Sequence, residues 1–242
     1  MFDYQFALHD KIITAKKLMK EYEPREGYIL AFSGGKDSTV LLDLAKRAGV
    51  KFKARYLITT IEHPETLEFV SQFPEVELIE PRKTIFELIE QKGFPPLRKY
   101  RYCTAELKAK TDRDRFKLIG IRAAESRKRE KYEPIVSEGK DRHLYPIFDW
   151  SDGEIWQYIG RYRLKYNPLY NCGYTRVGCV LCPYARKAIL KYELEKYSDI
   201  VEKYRAACIR AYEKKMLEGK KYYNIHSGEE LFEWWLNCML TK

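Results

Sequence analysis

Tyr28-Ile-Leu-Ala-Phe32 is followed directly by Ser33-Gly34-Gly35-Lys36-Asp37-Ser38 and then by Thr39–Lys46. The first segment is apolar and predicts a buried strand, whereas the last has the pattern of a helix. Two glycines between them allow a sharp backbone turn, and serine hydroxyls and the amides of a helix N-terminus can donate to an anion. We therefore predict a loop that binds a pyrophosphate group.

Asp37 is unexpected in such a loop, because a carboxylate repels phosphate. A divalent cation between the two would remove the repulsion, so we predict magnesium bound at Asp37. The spacing Ser-Gly-Gly-x-Asp-Ser also differs from the common nucleotide loop, Gly-x-x-x-x-Gly-Lys-Ser/Thr. Lys36 is expected to contact phosphate, with a solvated lysine at the start of a helix as the alternative.

Composition limits the function classes. The chain has 242 residues, enough for one substantial core, and a net charge of +10 from 45 Lys and Arg against 35 Asp and Glu. This charge favours anionic ligands such as nucleotides, RNA or DNA, although a mixed-charge surface also suits a thermophile. The N-terminus lacks the order of a secretion signal and no long apolar run is present, so we expect a cytoplasmic protein without a membrane partner. Six cysteines then indicate reduced thiols or metal binding.

The pattern of elements predicts an α/β protein with a doubly wound, mostly parallel five-stranded sheet. An amphipathic helix at residues 3–22 opens the chain, and long helical patterns follow residue 183. We expect a nucleotide-binding α/β domain over residues 1–168 and, packed on it, a cysteine-containing loop with a helical C-terminal extension over residues 169–242. The predicted strands are 28–32, 53–59, 76–79, 116–121 and 143–148.

Several motifs resemble those of one family. The loop is similar to the PP-loop of the adenine nucleotide alpha hydrolase superfamily, and later blocks resemble its phosphoadenosine phosphosulfate (PAPS) reductase-like branch. These blocks are Thr60-x-x-x-Pro64-Glu65-Thr66, Arg101-Tyr-Cys103-Thr104, Gly120-Ile-Arg122-Ala-x-Glu125-Ser126-x-x-Arg129, Tyr145-Pro146-Ile-x-Asp149-Trp150-Ser151, Asn167-Pro168-Leu-Tyr170 and Gly178-Cys179-x-x-Cys182-Pro183. The resemblance implies an adenine nucleotide alpha hydrolase-like fold over most of the chain.

The resemblance also implies an enzyme of sulfur metabolism. PP-loop members split ATP between the alpha and beta phosphates and adenylate a substrate, so we expect an ATP pyrophosphatase that acts in sulfur transfer, with tRNA or DNA thiolation as one such role. Reductases of this branch end in Glu-Cys-Gly-Leu-His, whereas this chain has Trp234-Trp235-Leu-Asn-Cys238. A sulfonucleotide reductase is one alternative, and a nucleotide- and RNA-binding protein without turnover is another. A sulfur donor protein and a homodimer are further expected partners.

The expected site residues combine the loop with basic residues from later blocks. Lys36, Asp37, Cys103 and Arg122 are the predicted catalytic residues, and an exposed basic turn is the alternative for the arginines. The predicted nucleotide ligands are Ser33, Gly34, Gly35, Lys36, Asp37, Ser38, Thr60, Arg122, Arg127 and Arg129.

The cysteines suggest a metal centre. Cys172, Cys179 and Cys182 lie within eleven residues, and Cys103 is in a separate block. Four thiolates can bind a 4Fe-4S cluster, as in related reductases and thiolases, or a zinc ion. Those relatives carry a tandem Cys-Cys pair, where this chain has Tyr102-Cys103, which makes Cys172 the substitute fourth ligand. Free or buried thiols, with Cys103 as a nucleophile, are the remaining alternative.

Overall fold

The computed structural model of the chain describes residues 2–109, 112, 114–138 and 141–241. Its residues group into two compact units that interleave along the sequence. The first comprises residues 1–57, 64–79 and 112–177, and the second comprises residues 58–63, 80–111 and 178–242. The second unit includes segments that the predicted boundary at residue 168 assigned to the first domain. The boundary at residue 168, with the extension packed on the first domain, stays a prediction.

The first unit contains the sheet. Among the described residues it has six strands in the order β3-β2-β1-β4-β6-β5, with β5 antiparallel and the others parallel. The strands are β1 (Tyr28–Ala31), β2 (Phe52–Leu57), β3 (Val76–Ile79), β4 (Phe116–Leu118), β5 (Ile135–Glu138) and β6 (Asp141–Leu144). The α/β class and the mostly parallel sheet are confirmed, whereas the predicted strand number of five is too low.

The difference in strand number arises near residue 140. The predicted strand 143–148 overlaps β6 only at its start, because Tyr145–Phe148 forms a turn in which the amide of Phe148 donates to the carbonyl of Tyr145 (3.1 Å). β5 precedes β6 and pairs with it antiparallel, so it forms one edge of the sheet. Its four residues are too short for a clear period-two pattern, which is why sequence reasoning missed it.

Helices of the first unit pack beside this sheet. They are α1 (Phe2–Glu21), α2 (Lys36–Ala48), α3 (Pro64–Ser71) and α6 (Asp152–Arg161), with short 3-10 turns at Ala123–Glu125, Arg129–Lys131 and Pro168–Cys172. β1 lies between β2 and β4, and its residues Tyr28, Ile29 and Leu30 are buried, as a central parallel strand requires. The chain leaves β1 toward β2 on one side, while β4 lies on the other. Such a switch point is where doubly wound sheets bind ligands.

The second unit is helical. It contains α4 (Ile85–Lys92), α5 (Tyr102–Thr104), a π-helical turn at Ala105–Ala109, α7 (Lys187–Lys196), α8 (Ser198–Leu217) and α9 (Gly228–Leu240). Helix α8 packs against both α4 and α9. Their shared core includes Tyr204 and Trp235, whose rings stack with centroids 4.7 Å apart, and the indole N–H of Trp235 donates to the carbonyl of Pro96 (2.9 Å). The predicted C-terminal helical extension is confirmed. No helix of the described residues combines the length and apolarity needed to cross a membrane.

Candidate functional site

The loop after β1 has a backbone suited to an anion. Gly34 adopts φ +70°, a left-handed conformation that glycine reaches without a Cβ penalty. Gly35 is the extended N-cap residue of α2, and the helix begins at Lys36, three residues earlier than the sequence predicts. The first amides of a helix lack partners within it. The loop residues therefore supply the N-terminal amides and the positive end of the helix dipole.

Two serine hydroxyls stabilise this conformation. The Ser38 Oγ donates to the carbonyl of Gly35 (2.9 Å) and lies 3.1 Å from the Ser33 Oγ. The amide of Ser33 in turn donates to the Ser38 Oγ (3.2 Å). Loop start and loop end are thus joined by hydrogen bonds that fix the backbone of the loop.

A second strand end approaches the same loop. β4 pairs with β1 in parallel, so the residues after both strands lie at one edge of the sheet. Gly120 follows β4, and a Cβ at this position would lie 3.2 Å from the backbone oxygen of Asp37. A side chain there would push the two segments apart. Glycine at this position allows Arg122, two residues later, to reach the start of α2.

Four charged side chains meet at the start of α2. Asp37 accepts from the Arg122 Nε (2.6 Å) and from the Lys36 Nζ (3.1 Å). Asp152, in the first turn of α6, accepts from the Arg122 Nη2 and lies within 3.0 Å of the Lys36 Nζ. Lys36 and Arg122 are only 4% and 3% exposed, so they require these partners. The alternatives of a solvated Lys36 and of an exposed basic turn at Arg122 are wrong.

Asp152 completes this network although sequence reasoning did not select it. Burial raises the pKa of its carboxyl, but hydrogen bonds and charge from Lys36 and Arg122 outweigh that effect and hold the pKa below its usual value. Asp152 therefore stays ionised over a wide pH range. Its signal in the sequence was position, since it follows the helix N-cap Ser151 after the last parallel strand.

Tyr170 and Asn167 belong to the motif Asn167-Pro168-Leu-Tyr170, for which the sequence by itself predicts no role. The amide of Lys36 donates to the Tyr170 hydroxyl (3.0 Å), and burial raises the pKa of that hydroxyl to about 12. The buried Asn167 side chain donates to the carbonyl of Gly34 (3.3 Å) and to the Thr66 hydroxyl (3.0 Å). Asn167 thus anchors the loop, and Tyr170 places a protonated hydroxyl at the start of α2.

The other predicted basic ligands differ in placement. Arg127 is exposed. Arg129 is half-buried and pairs with Glu125; burial and the nearby charge of Arg176 lower the pKa of its guanidinium. Two neighbouring guanidinium groups that repel each other favour an anion close by. Arg176 was not selected from the sequence.

Thr60 belongs to the second unit. Its φ is +68°, and its hydroxyl donates to the carbonyl of Thr59 (2.6 Å) and accepts from the amide of Ile85 (3.0 Å). These contacts give Thr60 a role in the backbone before α4. Its predicted nucleotide contact stays a prediction.

The predicted thiolate ligands lie in different units. Cys172 is exposed at the end of a 3-10 turn of the first unit, whereas Cys103, Cys179 and Cys182 are partly buried in the second. Within the described part of the chain, no three His, Cys, Asp or Glu side chains are arranged to bind a metal ion. The cluster and the zinc ion at these cysteines stay predictions.

The environment of the cysteines favours the thiol form. Burial raises the pKa of Cys103, and the nearby Cys179 raises it further. Burial also raises the pKa of Cys179, whose sulfur lies 3.2 Å from the Thr59 hydroxyl. Only the thiolate is strongly nucleophilic. Neither group is thereby activated as a nucleophile at neutral pH.

The turn between Cys179 and Cys182 contains a residue in a left-handed conformation. Leu181 is buried and adopts φ +54°, a conformation that costs energy for a residue with a Cβ. Its amide donates to Glu193 Oε2 (2.8 Å), and the other oxygen of this buried carboxylate lies 2.7 Å from His63 Nε2. A buried polar pair therefore supports the strained turn.

The comparisons with known proteins assign a family. The model of the phosphoadenosine phosphosulfate reductase domain matches residues 27–185, more than half of the chain. This chain belongs to that family. The matched range runs from the loop before β1 to the turn after Cys182, so it includes both the phosphate loop and the cysteine pair.

Sequence relatives of this PAPS reductase-family chain carry two kinds of description. An uncharacterised protein of Methanocaldococcus jannaschii is 30% identical over 213 residues, 81% of this chain and 52% of the relative. A second M. jannaschii protein is 33% identical over 64% of this chain and 36% of its own length, so the chain spans about half or less of these relatives. An adenosine 5'-phosphosulfate reductase of Bacillus cereus is 28% identical over 74% of this chain and 84% of that enzyme.

Solved structures agree on the fold of the family. A PAPS reductase from Candida auris superimposes with a TM-score of 0.54 at 16% identity, covering 69% of this chain and 88% of that one. An FMN adenylyltransferase from Candida glabrata gives a TM-score of 0.52 at 20% identity, covering 72% and 64%. At these identities the likeness shows the fold alone.

Proposed function

We propose that this chain is a magnesium-dependent ATP pyrophosphatase that adenylates an acceptor in sulfur transfer. The observation that carries the proposal is the intact phosphate loop, with Lys36 and Arg122 buried beside it and held by two carboxylates. A loop of this kind suits the leaving pyrophosphate.

The site derives its affinity for phosphate from charge and from fixed donors. The N-terminal amides of α2, the Ser33 hydroxyl and the Tyr170 hydroxyl supply hydrogen bonds, and Lys36 and Arg122 supply positive charge. Because both cations are already held by Asp37 and Asp152, they need little reorganisation when charge develops on the leaving group. Positioning and electrostatics account for most catalysis of phosphoryl chemistry.

In the proposed reaction a nucleophilic oxygen or sulfur of the acceptor attacks the alpha phosphorus of ATP. The bond from this phosphorus to the bridging oxygen breaks, and pyrophosphate leaves with the bonding electrons. Lys36 and Arg122 stabilise the negative charge that grows on the departing group. The acceptor is now adenylated; a sulfur nucleophile can then attack the acceptor atom that carries the adenylate, and AMP leaves with the electrons of the broken bond.

The residues present fit a magnesium ion. Magnesium binds through one or two carboxylates together with substrate phosphates. Asp37 and Asp152 both form ion pairs with Lys36 and Arg122, and these two carboxylates are the groups that would hold the ion. When bound, the ion would neutralise phosphate charge. It is not needed to offset the charge of Asp37, because Lys36 and Arg122 already do so.

A second candidate is a sulfonucleotide reductase, because the adenosine 5'-phosphosulfate reductase relatives match 84% of their length to this chain. The loop after β1 favours ATP cleavage over this reaction, because its serines, glycines and buried cations suit a leaving pyrophosphate. Cys238 is on α9, a helix whose Trp235 is fully buried and hydrogen-bonded. The predicted sulfur donor protein and homodimer stay predictions.

The test is the product of nucleotide cleavage. Purified chain with ATP and magnesium, with water as the acceptor, is expected to form AMP and pyrophosphate. Lys36→Met and Asp37→Asn are expected to lose this activity, while Glu68→Gln, an exposed change on α3, keeps it. Formation of ADP, or equal activity in all variants, would overturn the proposal. Release of sulfite from adenosine phosphosulfate or PAPS, with no AMP formed from ATP, would favour the reductase.

A further inference from the structure

The acidic residues of this chain are unevenly distributed. Residues 155–192 contain no Asp or Glu but seven Lys or Arg and seven Tyr, and residues 91–105 also lack an acidic residue. The first of these segments extends into the second unit, and the second lies wholly within it. Positive charge interleaved with aromatic residues differs from the mixed charges elsewhere in the chain.

The structure brings parts of these two segments together on the surface of the helical unit. The guanidinium of Arg101 lies 4.6 Å from the centre of the Tyr184 ring, and that of Arg98 lies 5.7 Å from it. The Arg98 Nε donates to the carbonyl of Pro183 (2.6 Å), and the Tyr184 hydroxyl donates to the carbonyl of Arg98 (3.2 Å). These contacts hold the two segments in one arrangement.

We propose that this surface binds single-stranded nucleic acid. We call it the basic aromatic patch, and it consists of Arg98, Lys99, Tyr100, Arg101 and Tyr184. Tyr100 is 61% and Tyr184 is 45% exposed, so both rings are accessible for stacking. The proposal rests on the proposed function in that it names the class of acceptor or acceptor carrier.

The chemistry of the patch favours an unpaired strand. Unstacked bases pack on aromatic rings and on guanidinium planes, while lysine and arginine contact the phosphates. A duplex hides its base faces and would use the charges alone. An acidic protein would also use the charges, but it has no base faces for Tyr100 and Tyr184 to stack on.

The position of the patch is relevant to sulfur transfer. Arg101 precedes Cys103 by two residues, and Tyr184 follows Cys182 by two residues. A strand bound across the patch would therefore pass beside the thiols of the second unit. A patch that served only solubility would not need to lie near these thiols.

The experiment measures binding of a fluorescently labelled, unstructured RNA of about 16 nucleotides, near the upper site size of a single binding module. The wild-type chain is expected to bind it without ATP, with an affinity that falls as salt rises. Lys99→Gln/Arg101→Gln should lower the slope of log affinity against log salt by about 1.4, since each phosphate contact contributes about 0.7 on a single strand. Tyr100→Leu and Tyr184→Leu should each weaken binding by about fivefold or more.

Matched variants separate the patch from general charge. Lys17→Gln/Lys20→Gln removes two exposed cations of α1, and Tyr223→Leu removes a ring that is 91% exposed. Both should bind RNA like the wild type. If they weaken binding as much as the patch variants do, or if the duplex or polyglutamate competes as well as the single strand, the proposal is wrong. A single-stranded DNA of the same sequence distinguishes RNA from DNA as the ligand.

Failure of this inference and failure of the proposed function are distinguishable. The patch variants should still release pyrophosphate from ATP, and Lys36→Met should still bind RNA. Absence of RNA binding with intact ATP cleavage refutes the patch alone. Circular dichroism of each variant verifies that the fold is retained.

Discussion

Removal of the Arg122 guanidinium should destabilise the fold measurably. Its three donors reach Asp37 (2.6 Å), the carbonyl of Trp150 (3.2 Å) and Asp152 (3.0 Å), and the side chain is 3% exposed. In Arg122→Met the buried carbonyl loses its donor and Asp37 keeps only Lys36. Breaking a buried ion pair from one side costs about 3–5 kcal/mol.

Solvent reduces this figure here. The Asp37 side chain is 19% exposed and that of Asp152 is 63% exposed, so water compensates part of the loss. We therefore expect a decrease of about 2–3 kcal/mol in the free energy of unfolding. For a chain of this size that lowers Tm by about 4–12 °C. Thermal and urea unfolding followed by circular dichroism measure both quantities.

A double variant tests the cause. In Asp37→Asn/Arg122→Met the carboxylate that lost its partner is neutral, so this variant should be about 1 kcal/mol more stable than Arg122→Met alone. Arg122→Lys keeps the charge but not the fork of donors, and it should fall between the wild type and Arg122→Met. If Arg122→Met unfolds within about 0.5 kcal/mol of the wild type, or if Asp37→Asn adds its full cost to it, the reasoning about this network is refuted.

Four other predictions concern the loop, Asp152 and the thiols. Gly34→Ala places a Cβ at φ +70° and should cost about 1–2 kcal/mol of stability and weaken ATP binding, as unfolding and calorimetric titration would measure; unchanged affinity would contradict the role of the loop. Tyr170→Phe should weaken ATP binding about tenfold, and an unaltered Kd would exclude its hydroxyl as a donor. The pKa of Asp152 is lower in the folded state, so its contribution to stability is present above its unfolded pKa and is lost as pH falls through the folded value. Asp152→Asn should therefore flatten the acid side of the profile of stability against pH. A profile identical to that of the wild type would contradict this reasoning. Exposed Cys172 should react with a maleimide at neutral pH well before Cys103, because the raised pKa of Cys103 delays its reaction until alkaline pH. Mass spectrometry of the labelled peptides measures the order, and the reverse order would contradict this prediction.

The strand, the loop and the following helix were predictable because their signals are local. Apolar residues of β1, the glycines and the helical pattern lie within about twenty consecutive residues, and backbone hydrogen bonding acts at that range. Arg122 was also predictable, since it follows a strand of the parallel sheet. The helical extension followed from its long 3.6-residue period.

Other features depended on distant segments. Asp152 lies 115 residues after Asp37, and Tyr170 lies 134 residues after Lys36, yet both contact the start of α2. No local pattern encodes such a contact. The cysteines are a further case. Their spacing predicts one centre, but spacing alone does not determine that Cys172 belongs to the sheet-containing unit and Cys103, Cys179 and Cys182 to the helical one.

The amino-acid sequence thus specifies a phosphate loop and its family, because backbone geometry and motif spacing are properties of short segments. It leaves open whether Lys36 and Arg122 are solvated or buried, since burial depends on where β4 ends and α6 begins beside the start of α2. The folded chain surrounds these cations with carboxylates, and it joins Arg101 to Tyr184 across more than eighty residues. Charge compensation and ring stacking require atoms in contact, and only the packing of distant elements brings those atoms together.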